Sequence, residues 1–222
     1  MVHFVLINER NRQRYLRLIE PVGVFFARMG LHPNVLTLAG LVLSAVAGLV
    51  YAAGAFFWGA WVVVVAGICD TLDGLIARQT KKDSTFGAFF DSTLDRYSDM
   101  FLFAGLGYYF AGGKSLPVFP ASSNTGEAHP WTVLIIFLAM TGSFLVSYTR
   151  ARAEGLGVEC RGGMMQRPER MVLLIIGCLL GAIPVVGPLF LKCTLVILAV
   201  STHLTAIHRI IRVRGRILKE NR

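Results

Sequence analysis

FWGAWVVVVAGICDTLDGLIAR, residues 57–78, and FGAFFDSTLDRYSDMFLFAGLGYYFA, residues 86–111, decide how the chain reads. Each is long enough to cross the roughly 30 Å hydrocarbon of a bilayer as a helix. Each also carries acids, Asp70 and Asp73 in the first and Asp91, Asp95 and Asp99 in the second. An acid at the bilayer centre costs about 2.5–3.5 kcal/mol on insertion scales. These acids therefore face a wet cavity and mark a function.

Working outward, four more apolar runs follow the same pattern: Asn34–Gly54, Trp131–Arg152, Met171–Gly187 and Leu189–Ile211, the last two separated by Pro184, Gly187 and Pro188. A chain of 222 residues that is 55% apolar and 16% charged, with mean hydropathy +0.60, excludes an ordinary soluble domain and a disordered chain. Runs this long predict helices and not the short alternating strands of a barrel. The expected fold is an all-α integral membrane protein with six transmembrane helices. The apolar stretch in Met1–Arg10 is too short to read as a secretory signal, so membrane entry is expected from the internal spans.

Net charge is +9, from 22 Lys and Arg against 13 Asp and Glu. All the basic residues except Arg96, Lys114 and Lys192 fall in alternate connections or at the termini, on one face of the six spans. By the positive-inside rule that face, with both termini, is cytoplasmic. The charge is then that of a chain beside anionic lipid headgroups, and nucleic acid is not expected as a partner. Between residues 8 and 30, Leu16, Ile19, Phe25, Phe26 and Met29 alternate with arginines, with Pro21 among them. This predicts an amphipathic helix lying on the cytoplasmic surface. Residues 1–32 thus form a juxtamembrane segment and 33–222 the membrane domain. Residues 112–130 read as an irregular external linker. Cys69, Cys160, Cys178 and Cys193 show no CxxC pair and read as buried thiols.

The acids are patterned. At 100° per residue Asp70, Asp73, Gly74 and Ala77 share one helix sector, and Gly87, Asp91, Asp95 and Asp99 recur every fourth residue as one stripe. Asp70 lies about 12 Å of helix rise from Arg78, so the acids sit toward the cytoplasmic ends of their spans. Two antiparallel helices joined by a short loop bring the stripes together. Four carboxylates in one pocket repel unless a cation neutralises them. Oxygen ligands without nearby His or Cys select Mg²⁺ or Mn²⁺, one ion or two.

Asp70-Thr-Leu-Asp73-Gly74-Leu-Ile-Ala77-Arg78, followed after eight residues by Gly87, Asp91 and Asp95, reproduces DxxDGxxAR and GxxxDxxxD. In this the chain resembles the CDP-alcohol phosphotransferases, integral-membrane enzymes of phospholipid synthesis. The resemblance implies transfer of a phosphatidyl group from a CDP-linked lipid such as CDP-diacylglycerol to an alcohol, with release of CMP. It implies that Asp70, Asp73 and Asp91 hold the metal, that Asp95 shares in this, and that Asp95 is the catalytic base. It places Asp73, Gly74, Ala77, Arg78 and Gly87 against the CDP-lipid. Pro33-Asn34-Val35-Leu36-Thr37 fits a further family motif and adds Asn34 and Thr37 to that set. A homodimer in a bacterial or archaeal cell membrane, with the active site facing the cytoplasm, is implied too.

Arg150, Arg167, Arg170 and Arg209 gather at the cytoplasmic ends of the last three spans. Arginines converging there suit a second phosphate, which they bind bidentately. These stretches look like the phosphatidylinositol-phosphate synthase branch, although a Lys is common there where this chain has Arg150. The expected acceptor is therefore a soluble polyol phosphate, inositol phosphate first and glycerol 3-phosphate second. A divalent-cation transporter is the competing class. It would need polar groups toward the far face, and 58–66 and 101–110 carry neither acid nor base.

Overall fold

A computed structural model describes residues 9–80, 84–113, 128–160 and 165–220. Within them the apolar runs become α1 (Glu9–Arg28), α2 (Pro33–Ala52), α3 (Phe56–Thr80), α4 (Thr85–Phe110), α5 (Pro130–Glu154), α6 (Arg167–Gly181) and α7 (Gly187–Glu220). No strand occurs among the described residues. Lys81, Lys82, Lys114, Arg161 and Arg222, which enter the charge pattern, lie outside the described residues, as does most of the expected external linker.

The boundaries have local causes. Pro33 stands in the first turn of α2, and the His32 Nδ1 accepts the Asn34 N–H at 3.3 Å. Ser84 caps α4, its Oγ accepting from the Gly87 N–H at 2.9 Å. After α1, α2, α4 and α5 the chain turns through a glycine at positive φ: Gly30, Gly54, Gly112 and Gly157. Each closes its helix with the paired carbonyl bonds of a Schellman motif, as in Gly54 N–H to Tyr51 O and Ala55 N–H to Val50 O. The helix expected between residues 8 and 30 forms as α1 and runs through Pro21 without interruption.

Length and composition make α2, α3, α5 and α7 membrane-spanning candidates. Their large apolar side chains point outward, Leu38, Val42 and Leu49 on α2, Trp58, Trp61 and Val65 on α3, Phe137 on α5, Ile197, Val200 and Leu204 on α7. That is the arrangement a lipid surrounding favours. The other two expected spans differ for stated reasons. Asp91, Asp95, Arg96 and Asp99 interrupt the apolar character of α4, and α6 has 15 residues, about 22 Å of rise.

The helices group as two units, α1 to α4 and α5 to α7. In the first, α2 is the common support: α3 and α4 both pack on it, and α1 lies on α3, with Ile19 of α1, Leu72 and Ile76 of α3 and Leu36 of α2 in one apolar cluster. Backbone meets backbone where Gly48 of α2 faces Gly105 of α4, since a Cβ on Gly105 would collide with the Gly48 main chain. In the second unit α5 and α6 both pack on α7, where Gly142 faces Thr202 and Gly177 faces Thr194. Small residues at helix crossings are how membrane helices approach closely.

Candidate metal and phosphate-transfer site

Packing of α3 and α4 on α2 brings three carboxylates together. Asp70 of α3 and Asp91 and Asp95 of α4, one turn apart, each offer an oxygen, and these oxygens lie within 4.8 Å of one another. All three residues are half-buried. Carboxylates drawn this close are favourable only around a cation, and an all-oxygen donor set suits Mg²⁺ or Mn²⁺.

Asp73 belongs to the neighbourhood but not to that trio. It is 6% exposed, and its Oδ2 has no hydrogen-bond partner among the described residues. Its neighbours are the Thr37 hydroxyl of α2 and the carboxylates of Asp70 and Asp91. A buried anionic oxygen without a donor is costly unless something positive is bound beside it. The donors present therefore fit a divalent ion.

Around the acids, Arg78 is exposed and its guanidinium lies over Gly74, where an added Cβ would sit 3.7 Å from Nη1. Gly74 and Ala77 are half-buried, leaving an open face beside the arginine. Gly87 opens α4, held by Ser84. Thr37 is buried and donates to the Pro33 carbonyl at 3.3 Å, and Asn34 is half-buried at the start of the same helix. Arg96 approaches Asp95, Nη1 to Oδ2, at 3.4 Å. Asp99, one turn deeper than Asp95, is 1% exposed.

The unit of α5 to α7 holds the arginines. Arg209 is 4% exposed and donates from Nη1 to the Val146 carbonyl of α5. Its charged neighbours are Arg150, Arg170 and Glu154, with the Cys160 thiol beside it. Arg170 is 2% exposed. Arg150 is more open and donates from Nε to Glu154 Oε1 at 2.9 Å, one turn along α5. Arg167 is half-buried at the first position of α6. Arg150, Arg170 and Arg209 thus form one cationic group, with the Glu154 carboxylate among them. Sequence reading gave Glu154 and Ser84 no role and took Cys160 only as a buried thiol. Of these only Ser84 carries a local signal, a Ser immediately before a helix-forming run.

The family model for CDP-alcohol phosphatidyltransferase matches residues 30–208. The chain belongs to that family. The span matched by the CDP-alcohol phosphatidyltransferase model contains the five aspartates described above and Arg78, Arg96, Arg150, Arg167 and Arg170, and ends one residue before Arg209. Among relatives, an archaetidylinositol phosphate synthase of Methanothermobacter thermautotrophicus is 35% identical over 201 residues, covering 90% of this chain and 91% of the relative. A phosphatidylinositol phosphate synthase of Mycolicibacterium smegmatis is 34% identical over 205 residues, covering 91% and 86%. A crystal structure of the Mycobacterium tuberculosis phosphatidylinositol phosphate synthase with CDP-DAG bound matches with TM-score 0.74 and 31% identity, over 89% of this chain and 94% of that one. The same synthase in complex with manganese and citrate matches with TM-score 0.75 and 31% identity, over 88% of each chain. This CDP-alcohol phosphatidyltransferase therefore shares its helical framework with a solved synthase along most of its length.

Proposed function

We propose that the chain transfers the phosphatidyl group of a CDP-linked lipid to a phosphorylated polyol, inositol phosphate, and releases CMP. The observation that carries this is the convergence of Asp70, Asp91 and Asp95 oxygens within 4.8 Å on the family signature. The relatives named for inositol phosphate products support the acceptor.

Asp70 and Asp91, with Asp73 and Asp95, would hold one or two Mg²⁺ or Mn²⁺ ions, which when bound neutralise the pyrophosphate and stabilise the departing CMP. The Asp95 carboxylate takes the proton of the acceptor hydroxyl. The hydroxyl oxygen bonds to the phosphorus that carries the diacylglycerol, and the bond from that phosphorus to the CMP oxygen breaks. Gly74, Ala77, Arg78, Gly87, Asn34 and Thr37 line the nucleotide side, their small or open positions leaving room for it. Arg150, Arg170 and Arg209, with Arg167 beside them in sequence, bind the phosphate of the acceptor through charge-assisted hydrogen bonds.

The membrane reading is six spans with both termini cytoplasmic, α1 on the surface and residues 33–222 as the catalytic domain. The second half of α4, Phe101–Phe110, is uncharged, and α6 packs along the spanning α7, which supports counting both among the spans. We place the enzyme in the cell membrane as a homodimer with its site facing the cytoplasm.

CMP release from CDP-diacylglycerol is measured with inositol phosphate, glycerol 3-phosphate and free inositol in turn. Inositol phosphate is expected to give the highest kcat/KM and free inositol essentially none. Preference for glycerol 3-phosphate would move the chain to another acceptor, and no response to either phosphate would overturn the reading. EDTA is expected to silence the reaction, and Mg²⁺ or Mn²⁺ to restore it. Activity that persists in EDTA would remove the carboxylates from metal binding.

A further inference from the structure

Helix α7 is longer than a bilayer needs: 34 residues rise about 51 Å against about 30 Å of hydrocarbon. Its last turns continue past Arg209 and carry Arg212, Arg214, Arg216 and Lys219. Arg216 stands seven residues after Arg209, two helical turns and about 10 Å on, so the two lie on nearly the same face. Both donate to backbone carbonyls of the same stretch of chain. Arg209 reaches Val146 within α5, and Arg216 reaches Glu159, just after α5.

The segment between these anchors is closely built. The Gly157 N–H bonds to Glu154 O and the Val158 N–H to Ala153 O, at 3.0 Å each. Gly157 takes φ +76, and Ala153 and Val158 are buried, as a Schellman closure requires. This turn leads directly to Glu159 and Cys160. The Cys160 thiol is 1% exposed and near enough to the Arg209 guanidinium to interact with it electrostatically, as do Arg150, Arg170 and Glu154. The segment therefore borders the arginine group. Its outer end is held by the exposed Arg216.

We propose that Arg216 is a positioning residue for the acceptor: by gripping the Glu159 carbonyl from the C-terminal extension of α7, it keeps the 155–160 segment packed against Arg209 and so keeps the arginine group in shape to receive a phosphate. The proposal rests on the reading of Arg150, Arg170 and Arg209 as the acceptor's phosphate site. Arg216 itself touches no substrate. Its loss changes how well the acceptor is held, and it leaves the aspartate chemistry on α3 and α4 untouched.

The test measures CMP release by the full-length enzyme, with CDP-diacylglycerol and inositol phosphate varied separately, alongside thermal stability in detergent. Arg216→Ala is expected to raise the KM for inositol phosphate about fivefold, in line with loss of one charge-assisted bond at a partly exposed site. The KM for CDP-diacylglycerol and kcat at saturating acceptor stay within twofold. Arg216→Lys, which keeps a cationic donor, recovers most of the loss. Gly157→Ala strains the same segment through its φ alone, since no atom lies within 4 Å of the new methyl, and gives the same selective rise. Arg150→Gln runs in parallel as the check on the phosphate site. If Arg150→Gln raises the acceptor KM while Arg216→Ala and Gly157→Ala do not, the positioning role fails and the phosphate site stands. A parallel rise of both KM values in Arg216→Ala overturns it as well, since that is a general structural loss. If Arg150→Gln leaves the acceptor KM unchanged, the phosphate-site reading itself has failed.

Discussion

Asp95→Asn is expected to lower kcat by at least about 100-fold while CDP-diacylglycerol binds within about threefold of wild type, since a positioned general base contributes roughly 10²–10⁴. The amide has the shape of the carboxylate but takes no proton from a hydroxyl. Asp70 and Asp91 remain to hold the cation, with Asp73 buried beside them, so the liponucleotide keeps its anchor. Within the protein the substitution weakens the pair to Arg96 at 3.4 Å. Both partners are partly exposed, and such pairs contribute about 0–1 kcal/mol, so the fold should not suffer. Asp91→Asn should behave differently: it takes a ligand from the trio without touching the base, so turnover and donor binding fall together. The two variants are separated by measuring CMP release and equilibrium binding of CDP-diacylglycerol on the same preparations. Activity within tenfold of wild type in Asp95→Asn would remove that residue from the base role.

The aspartate trio was legible because it is mostly a matter of helix period. Residues four apart on one helix stay on one face whatever the tertiary packing, so Asp91 and Asp95 had to meet the same neighbour. Asp73 was harder. It follows Asp70 by three residues, which rotates it about 60° from that position. Whether this keeps it in the pocket depends on where a third helix sits. Here α2 packs against that flank, and Asp73 is buried beside Thr37 instead of joining the trio of oxygens. Sequence spacing contains nothing about the placement of α2. The same limit explains Gly87, which family resemblance assigns to the nucleotide and whose N–H is occupied by Ser84 in the capping of α4.

Helix existence was legible for a related reason. An apolar run of suitable length forms a helix in either setting, and each of the six expected runs did. Whether a run also crosses the bilayer alone depends on its charge and length, which is where α4 and α6 depart from the other four. The arginine group shows the far end of the scale. Its members were visible as basic residues near span ends. Glu154 and Cys160, which interact electrostatically with Arg209, become its neighbours only through the packing of α5 on α7. No periodicity connects residues so far apart in sequence.

Gly105→Ala is expected to disable the enzyme by moving α4, although Gly105 lies about 15 Å of helix rise from Asp95. A Cβ at this position would strike the carbonyl, carbonyl carbon and Cα of Gly48, all main chain. No rotamer change relieves a main-chain collision, so α4 must withdraw from α2. Overpacking of this kind costs about 1–3 kcal/mol, and a displacement of about 1 Å in catalytic groups can cost about 100-fold in rate. Asp91 and Asp95 travel with α4 while Asp70 stays on α3, so the 4.8 Å grouping of oxygens opens. The expected result is a lowered melting temperature in detergent together with a weaker apparent affinity for Mg²⁺ or Mn²⁺ and a large fall in CMP release. Gly67→Ala is the matched comparison: it lies on α3, only three residues before Asp70, yet nothing stands within 4 Å of the added methyl. Ala is the better helix former by about 1 kcal/mol, so that variant should be at least as stable as wild type and fully active. Equal behaviour of the two alanine variants would mean that the backbone contact between α2 and α4 does not hold the carboxylates in register.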